Sequence, residues 1–171
     1  MYVDANLAAA TSMVQNHIQG RIVLVSSVLG FMGLVGYSEY SPMKFAIRGL
    51  AECLRSELQA KGISVHAYFP ATIYSPGFEQ ENKTKPEITK AIEGADEGLT
   101  PEQCAVALLN GIECNHFFIT DGLVGSLLRV SSHGCAPGNG FFLDGLASII
   151  ARPALLAWRY FIADRMIHKH T

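Results

Sequence analysis

Short apolar runs, separated by helical stretches, constrain the fold of this chain more than any other sequence feature. The first run shows no alternation of polar and apolar residues, which is typical of a strand covered on both faces of a parallel sheet. The three predicted strands are residues 21–27, 63–69 and 116–120. The three predicted helices are residues 5–18, 41–60 and 100–112. This alternation predicts an α/β fold with an open parallel sheet.

Local signals mark where these elements end. Pro42 is tolerated in the first turn of the second helix, and Gly62 is its expected C-cap. The segment from Thr100 to Gln103 combines a capping box with a proline at the first helical position. Residues 71–98 are polar and are predicted to form a long loop, which in a compact domain is typically a functional lid or a mobile segment.

Composition excludes several classes of protein. Of the 171 residues, 49% are apolar and only 16% are charged, and the net charge is −2. A nucleic-acid binder would show a basic stripe or a high pI, so no nucleic-acid partner is expected. The four cysteines are widely spaced and are expected to be buried free thiols in a reducing compartment. The six histidines are not grouped at ligand spacing, so no metal site is predicted.

The last third of the chain has a different character. The stretch from Phe141 to Ile167 is strongly apolar, and Pro153 is expected to divide it into two helices. No stretch reaches the roughly 18 uncharged residues of an ordinary transmembrane helix. Trp158 and Tyr160 beside Arg159 suit a helix that lies along a membrane interface. The alternative is a helix packed on the sheet or on a second subunit, and the sequence leaves both open.

Four residues near the first strand predict carbonyl chemistry. Tyr40 and Lys44 are four residues apart at a helix start, so both side chains share one face. A phenol ordinarily has a pKa of about 10, and a cation one helical turn away favours the phenolate. Ser26 and Ser27 end the strand, and a serine hydroxyl can hold a carbonyl. Together these groups can protonate a carbonyl oxygen while a hydride reaches its carbon. For the Tyr-Lys pair taken alone, the alternative is an ordinary helix surface.

The order of these motifs resembles the classical short-chain dehydrogenase/reductase family. Ser27 precedes Tyr40 by thirteen residues, across a glycine-rich loop. Asn6 matches the upstream asparagine of the family, and residues 70–75 match its Pro-Gly segment, with Ala71 in place of the usual glycine. The resemblance implies a Rossmann-like, doubly wound parallel sheet and a nicotinamide cofactor.

The resemblance also implies a role for each residue. Tyr40 would donate the proton, Ser27 would hold the carbonyl, and Ser26 is the alternative if the register differs by one. Lys44 would lower the pKa of the phenol and bind the nicotinamide ribose. Asn6 would hold a water that links Lys44 to solvent, or else bond to the helix backbone.

The cofactor segment follows the second strand. In the family this segment, here opened by Pro70, closes over the nicotinamide. Ile73 and Ser75 would contact its carboxamide end.

Three further segments narrow the resemblance to members of the family that act on sphingoid bases. These are residues 21–27, 44–52 and, most specifically, 75–86. The similarity implies NADPH-dependent reduction of 3-ketodihydrosphingosine to dihydrosphingosine in sphingolipid synthesis. It also implies an enzyme at the endoplasmic reticulum membrane whose site faces the cytosol, and a homo-oligomer is expected. The alternatives are a reductase of another lipid or steroid ketone, and a non-catalytic remnant that binds a membrane or a subunit.

One family motif has no counterpart in the chain. The Thr-Gly-x-x-x-Gly-x-Gly turn would hold the pyrophosphate and precede the residues that choose NADPH over NADH. We therefore expect residues 1–125 to be the C-terminal half of a reductase domain, and 126–171 to be an apolar helical tail that meets membrane or another subunit. Half a sheet leaves a strand edge unpaired, so we expect this polypeptide alone to be inactive and poorly soluble.

Overall fold

Three parallel strands organise the fold, as a computed structural model of residues 2–94, 98–132 and 134–170 shows. The strands are β1 (Gly20–Val25), β2 (Ile63–Phe69) and β3 (Phe118–Thr120), in the spatial order β1-β2-β3. Gly20 lies opposite Ile63, and Ala67 lies opposite Phe118. The predicted parallel α/β sheet is confirmed, although β3 begins two residues later than predicted.

Helices cover the sheet and extend beyond it. They are α1 (Tyr2–Gln15), α2 (Ser41–Leu58), α3 (Pro76–Thr84), α4 (Glu87–Glu93), α5 (Pro101–Glu113), α6 (Gly122–Ser132), α7 (Phe141–Trp158) and α8 (Asp164–His170). The prediction of one long loop over residues 71–98 is wrong, because α3 and α4 lie within it. Ser75 caps α3 by accepting a hydrogen bond from the Phe78 N–H, and Pro76 opens the helix. The polar composition of α3 and α4 reflects their exposure to solvent and does not indicate a loop.

The two faces of the sheet have separate cores. Alternate residues of β2 point to opposite faces. Ala67 and Phe69 are fully buried against α2, in a cluster that Ala10 of α1 also joins. Tyr68 points the other way and packs with Cys104 of α5. Helices therefore cover both faces, as a doubly wound sheet requires.

Strand β1 forms an edge of the sheet described here. Among the described residues it pairs with β2, and its other edge carries no further strand. Val25 points away from the α2 side and is 45% exposed. An unpaired edge at β1 and an exposed Val25 are what half of a reductase domain would show. That the chain is such a half-domain stays a prediction. The expected boundary between residues 125 and 126 lies inside α6.

The predicted helix ends agree with the structure. Gly62 has φ 71°, the left-handed conformation of a C-terminal cap. The Thr100 hydroxyl accepts from the Gln103 N–H, and the Gln103 side chain accepts from the Thr100 N–H. The capping box is therefore confirmed.

The expectation that the cysteines are buried is wrong for three of the four. All four are free, but Cys53, Cys114 and Cys135 are exposed and only Cys104 is buried. Only Cys104 lies on a helix face that packs against the sheet.

The tail is helical across Pro153, so the predicted division at that residue is wrong. Pro153 lies inside α7, and a wider turn, 159–163, continues into α8. A proline removes one helical hydrogen bond. Buried contacts on both sides compensate, because Ala151 and Ala163 pack against the rest of the molecule.

The tail helix also meets the length and composition of a membrane-crossing helix. The helical stretch Phe142–Lys169 contains an 18-residue window with a mean hydropathy of 1.3, and 11% of that window is buried. The sequence expectation required a fully uncharged stretch, whereas a few charged residues still allow this one to qualify. Arg159 nevertheless binds the carbonyl of Gly33 at 2.9 Å, which holds the tail against the sheet domain.

Candidate active site

Tyr40 and Lys44 meet at the start of α2, as the sequence predicted. Tyr40 occupies the position just before the helix, and its side chain is 42% exposed. The Lys44 Nζ lies 5.0 Å from the centre of the Tyr40 ring. The ammonium of Lys44 thus lies beside the Tyr40 ring, one helical turn along α2. The arrangement joins an accessible proton donor to a fixed positive charge.

The two serines have different hydrogen bonds. The Ser26 hydroxyl is 3% exposed and donates to the backbone carbonyl of Lys44 at 2.9 Å. The Ser27 oxygen accepts from the Leu29 N–H at 3.2 Å, which leaves its proton to donate elsewhere. Ser27 therefore has the hydrogen-bonding capacity to hold a carbonyl, whereas Ser26 fastens β1 to α2.

The loop after β1 packs closely against α2 at Gly30, because glycine has no side chain there. A Cβ at Gly30 would lie 2.8 Å from the Ser26 Oγ and 3.0 Å from the carbonyl oxygen of Lys44. Such distances exclude a side chain without movement of the helix. The glycine-rich composition of residues 28–39 was the sequence signal for this contact, but it did not identify Gly30.

The segment opened by Pro70 lies beside the serines. The Val28 N–H donates to the Pro70 carbonyl at 3.0 Å, and the Ser26 N–H donates to the Tyr68 carbonyl at 2.8 Å. Both contacts join the carboxyl ends of β1 and β2, where parallel sheets place their ligands. Residues 70–75 and the Tyr40 side of the site thus share one edge of the sheet.

The backbone N–H and C=O of Ile73 point away from the segment around Leu99 that lies beside it. Ile73 forms a parallel bridge with Leu99, using the Tyr74 N–H and the Thr72 carbonyl at 2.9 Å each. In this pattern the N–H and C=O of Ile73 itself point to the opposite side. One donor and one acceptor are what a carboxamide group requires. The Ser75 hydroxyl accepts the hydrogen bond from the Phe78 N–H that caps α3, which leaves its proton to donate, as at Ser27.

Asp121 holds the cofactor segment and was missed by the sequence reasoning. Its Oδ1 accepts from the Ala71 N–H at 2.8 Å, and its Oδ2 accepts from the Tyr68 hydroxyl at 2.5 Å. Burial, with the hydrogen bond to Asp121, raises the pKa of Tyr68 far above its ordinary value. An aspartate directly after a strand and before a helix was the available signal.

Asn6 lies on α1, one helical turn before the buried Ala10. Residues four apart share a helix face, so Asn6 is on the side of α1 that packs on the sheet. This is the same face of the sheet that α2 covers. Its role in holding a water stays a prediction.

Among the described residues, no group of three or more histidine, cysteine, aspartate or glutamate side chains is placed to hold an ion.

Comparison with known proteins assigns the family. The family model of short chain dehydrogenases matches residues 2–86, which include Ser27, Tyr40, Lys44 and the segment from Pro70 to Ser75. The chain belongs to the short-chain dehydrogenase family. This family consists of oxidoreductases that work with a nicotinamide cofactor.

Curated relatives of this short-chain dehydrogenase chain share a name. It is 42% identical over 151 residues to 3-ketodihydrosphingosine reductase TSC10 of Cryptococcus neoformans, covering 88% of this chain and 45% of that protein. It is 42% identical over 141 residues to 3-ketodihydrosphingosine reductase of Dictyostelium discoideum, covering 82% of this chain and 42% of that protein. The chain thus spans less than half the length of these two relatives.

A solved structure shows the same fold. The short-chain dehydrogenase from Sphingobium yanoikuyae in complex with NADPH superposes with a TM-score of 0.57 at 23% identity. The match covers 88% of this chain and 50% of that one.

Proposed function

We propose that the protein carrying this chain reduces 3-ketodihydrosphingosine to dihydrosphingosine with NADPH. The observation that carries the proposal is the 42% identity, over 88% of the chain, to a reductase named for this substrate. The geometry of Ser27, Tyr40 and Lys44 supports carbonyl reduction of some kind, and the relatives supply the choice of ketone.

Each side chain of the site has a separate role in the proposed reduction of the carbonyl. The Ser27 hydroxyl donates a hydrogen bond to the substrate oxygen and orients it. The exposed phenol of Tyr40 gives its proton to that oxygen as negative charge develops there. The ammonium of Lys44 stabilises the phenolate that remains. Asn6 holds the water through which Lys44 reaches solvent.

The residues at the end of β2 fit the nicotinamide end of the cofactor. When bound, the reduced nicotinamide supplies the hydride that reaches the carbonyl carbon. The N–H and C=O of Ile73, which point away from Leu99, are the groups that would hold its carboxamide. Pro70 is the first residue of this segment and Ser75 is the last. Lys44 would bind the ribose beside Tyr40. NADPH rather than NADH is proposed from the resemblance to the sphingoid-base reductases.

The tail gives the proposed enzyme access to a lipid substrate. Large apolar side chains are exposed along α7, namely Phe142, Leu143, Leu146, Ile149 and Ile150. Because Arg159 holds the tail to the loop at Gly33, we propose that the helix lies along a membrane. The membrane is that of the endoplasmic reticulum, with the site facing the cytosol. The alternative is that a second subunit covers this face. Flotation with lipid vesicles would distinguish the two, because only membrane binding carries the protein upward with the lipid.

A substrate panel tests the proposal. The purified natural protein that carries this chain is assayed with 3-ketodihydrosphingosine, a steroid ketone and a 3-ketoacyl ester, each with NADPH and NADH. We expect the sphingoid ketone with NADPH to give a kcat/KM at least about a hundredfold above the other pairs. A preference for the steroid or acyl ketone would contradict the substrate, and no turnover with any ketone would favour the non-catalytic remnant.

A further inference from the structure

The turn before the proposed proton donor is built on Tyr37. Its backbone carbonyl accepts from the Tyr40 N–H at 3.1 Å and from the Ser41 N–H at 2.9 Å. These two bonds close the turn from which α2 begins. The position of the Tyr40 backbone therefore depends directly on where Tyr37 lies.

The Tyr37 side chain is fastened to the helices that follow the cofactor segment. Its hydroxyl lies 2.7 Å from the Oε1 of Glu81 on α3 and 2.7 Å from the Oε1 of Glu93 on α4. Burial, with the hydrogen bonds to both carboxylates, raises the pKa of Tyr37 far above its ordinary value. The phenol therefore stays protonated, and its single proton is shared between the two carboxylates, so one hydroxyl contacts both helices.

Lys85 balances the charge of the two carboxylates. Its side chain is buried between α3 and α4, with the Nζ 3.1 Å from Glu81 and 2.8 Å from Glu93. The Nζ also lies 5.6 Å from the centre of the Tyr37 ring. Burial alone would lower the pKa of Lys85, but its hydrogen bonds and attraction to Glu93 and Glu81 raise it overall. A buried ammonium needs such partners, so these residues form one unit.

A second contact fastens the same loop to α4. Thr89 is fully buried, and its hydroxyl donates to the Val35 carbonyl at 2.9 Å. Gly36 has φ 87°, and a Cβ there would lie 2.5 Å from the Thr89 hydroxyl oxygen. The loop therefore meets α3 and α4 through polar contacts on both sides of Gly36.

We propose that Tyr37 is a positioning residue for Tyr40, acting through Glu81, Glu93 and Lys85. The rings of Tyr37 and Tyr40 are in contact, with centres 5.8 Å apart. Tyr40 directly follows the turn that Tyr37 closes, and α3 directly follows residues 70–75. Through its bonds to α3 and α4, Tyr37 sets the distance between these two segments. This inference rests on the proposed role of Tyr40 in ketone reduction.

Two pairs of matched variants test it in the natural protein that carries the chain. Tyr37→Phe removes the shared hydroxyl, and Ser56→Ala removes a hydroxyl from the exposed face of α2, where it bonds only to the backbone carbonyl of Glu52. Glu93→Gln weakens the cluster, and Glu87→Gln removes the exposed partner of Lys90 on the same helix. The measurements are kcat, the KM for NADPH, and amide hydrogen exchange over residues 38–44.

We expect Tyr37→Phe to lower kcat about tenfold or more, because small misplacements of a catalytic group are expensive. The KM for NADPH should change less than kcat, since Tyr37 itself touches none of the groups proposed to hold the cofactor. Exchange over residues 38–44 should accelerate. Adding Glu93→Gln to Tyr37→Phe should lower kcat little further, because the two residues act as one unit. Both control variants should match the parent protein.

Three results would overturn the inference: unchanged kcat in Tyr37→Phe, a lower kcat with unchanged exchange over 38–44, or fully multiplicative effects of Tyr37→Phe and Glu93→Gln. If the parent protein reduces no ketone, the proposed function fails and the exchange data decide alone. Faster exchange in Tyr37→Phe but not in Ser56→Ala would then support the positioning role, and equal exchange would refute it.

Discussion

The hydroxyl of Ser26 donates a hydrogen bond to the backbone carbonyl of Lys44 at 2.9 Å. This contact ties the carboxyl end of β1 to the first turn of α2, where Tyr40 and Lys44 meet. The neighbouring Ser27 keeps its proton for another acceptor. Ser26 therefore joins β1 to α2, whereas the hydroxyl of Ser27 can donate a hydrogen bond to a substrate.

Alanine substitutions should separate the two serines. Ser26→Ala removes a buried hydrogen bond and should lower the free energy of unfolding by about 1–2 kcal/mol, with less than about a tenfold loss of kcat/KM. Ser27→Ala removes the donor to the substrate oxygen and should lower kcat/KM by about a hundredfold or more. Denaturant unfolding and steady-state kinetics on both variants check this. A larger kinetic loss in Ser26→Ala would assign the carbonyl to Ser26 instead.

Asp121→Asn should loosen the cofactor segment. The amide has one acceptor oxygen for two donors, the Ala71 N–H and the Tyr68 hydroxyl. We expect about 1–3 kcal/mol less stability, the cost of one unsatisfied buried donor, together with a raised KM for NADPH. Tyr68→Phe removes only one of the donors and should change the KM less. An unchanged KM in Asp121→Asn would show that this contact does not order the segment.

Gly36→Ala should destabilise the loop before Tyr40. It places a side chain at φ 87° and 2.5 Å from the Thr89 hydroxyl, so we expect a loss of about 1–3 kcal/mol. Gly49→Ala is the matched control, because a Cβ at Gly49 meets open space within α2. Its unfolding free energy should rise by about 0.5–1 kcal/mol. Equal shifts in melting temperature for the two variants would contradict the account of Gly36.

The buried pair of Arg129 and Asp144 predicts a pH dependence. Two hydrogen bonds from Arg129, at 2.6 and 2.9 Å, hold the pKa of Asp144 below its ordinary range. The carboxylate therefore stabilises the packing of α6 on α7 above its unfolded pKa of about 3.9. That contribution is lost as the pH falls through the lower folded value.

Asp144→Asn should be about 3 kcal/mol less stable than the parent at pH 7, because it leaves the Arg129 charge buried and without its carboxylate. The difference should shrink as the pH falls below about 4. Asp164→Asn breaks the more exposed pair with Arg159 and should lose less than about 1 kcal/mol. Urea unfolding across this pH range checks both. A difference for Asp144→Asn that grows at low pH would have the wrong sign.

Sequence pattern was sufficient for what local chemistry determines. The apolar runs predicted the strands, and Thr100 and Gly62 predicted helix ends, because strand burial and capping depend on neighbouring residues. The spacing of Tyr40 and Lys44 likewise follows from helix geometry alone. Long-range contacts were not predictable in this way. Asp121 bonds to Ala71, fifty residues away in sequence, and only the topology of the sheet brings them together.

Two errors have the same physical origin. The α3 and α4 helices are missed because the residues that hold them are distant in sequence: Tyr37 bonds to Glu81 and Glu93, and Val35 accepts from Thr89. Pro153 was expected to break the tail, but packing of Ala151 and Ala163 holds the helix on both sides. In both cases tertiary contacts override local propensity.

The most direct measurement is NADPH oxidation driven by 3-ketodihydrosphingosine in the natural protein carrying this chain, compared with its Tyr40→Phe and Ser56→Ala variants. The account predicts that Tyr40→Phe lowers kcat by about 10²–10⁴-fold, the usual contribution of a general acid. Its NADPH affinity should stay within about threefold of the parent, and Ser56→Ala should turn over normally. Full turnover by Tyr40→Phe would contradict the assignment of Tyr40 as the proton donor.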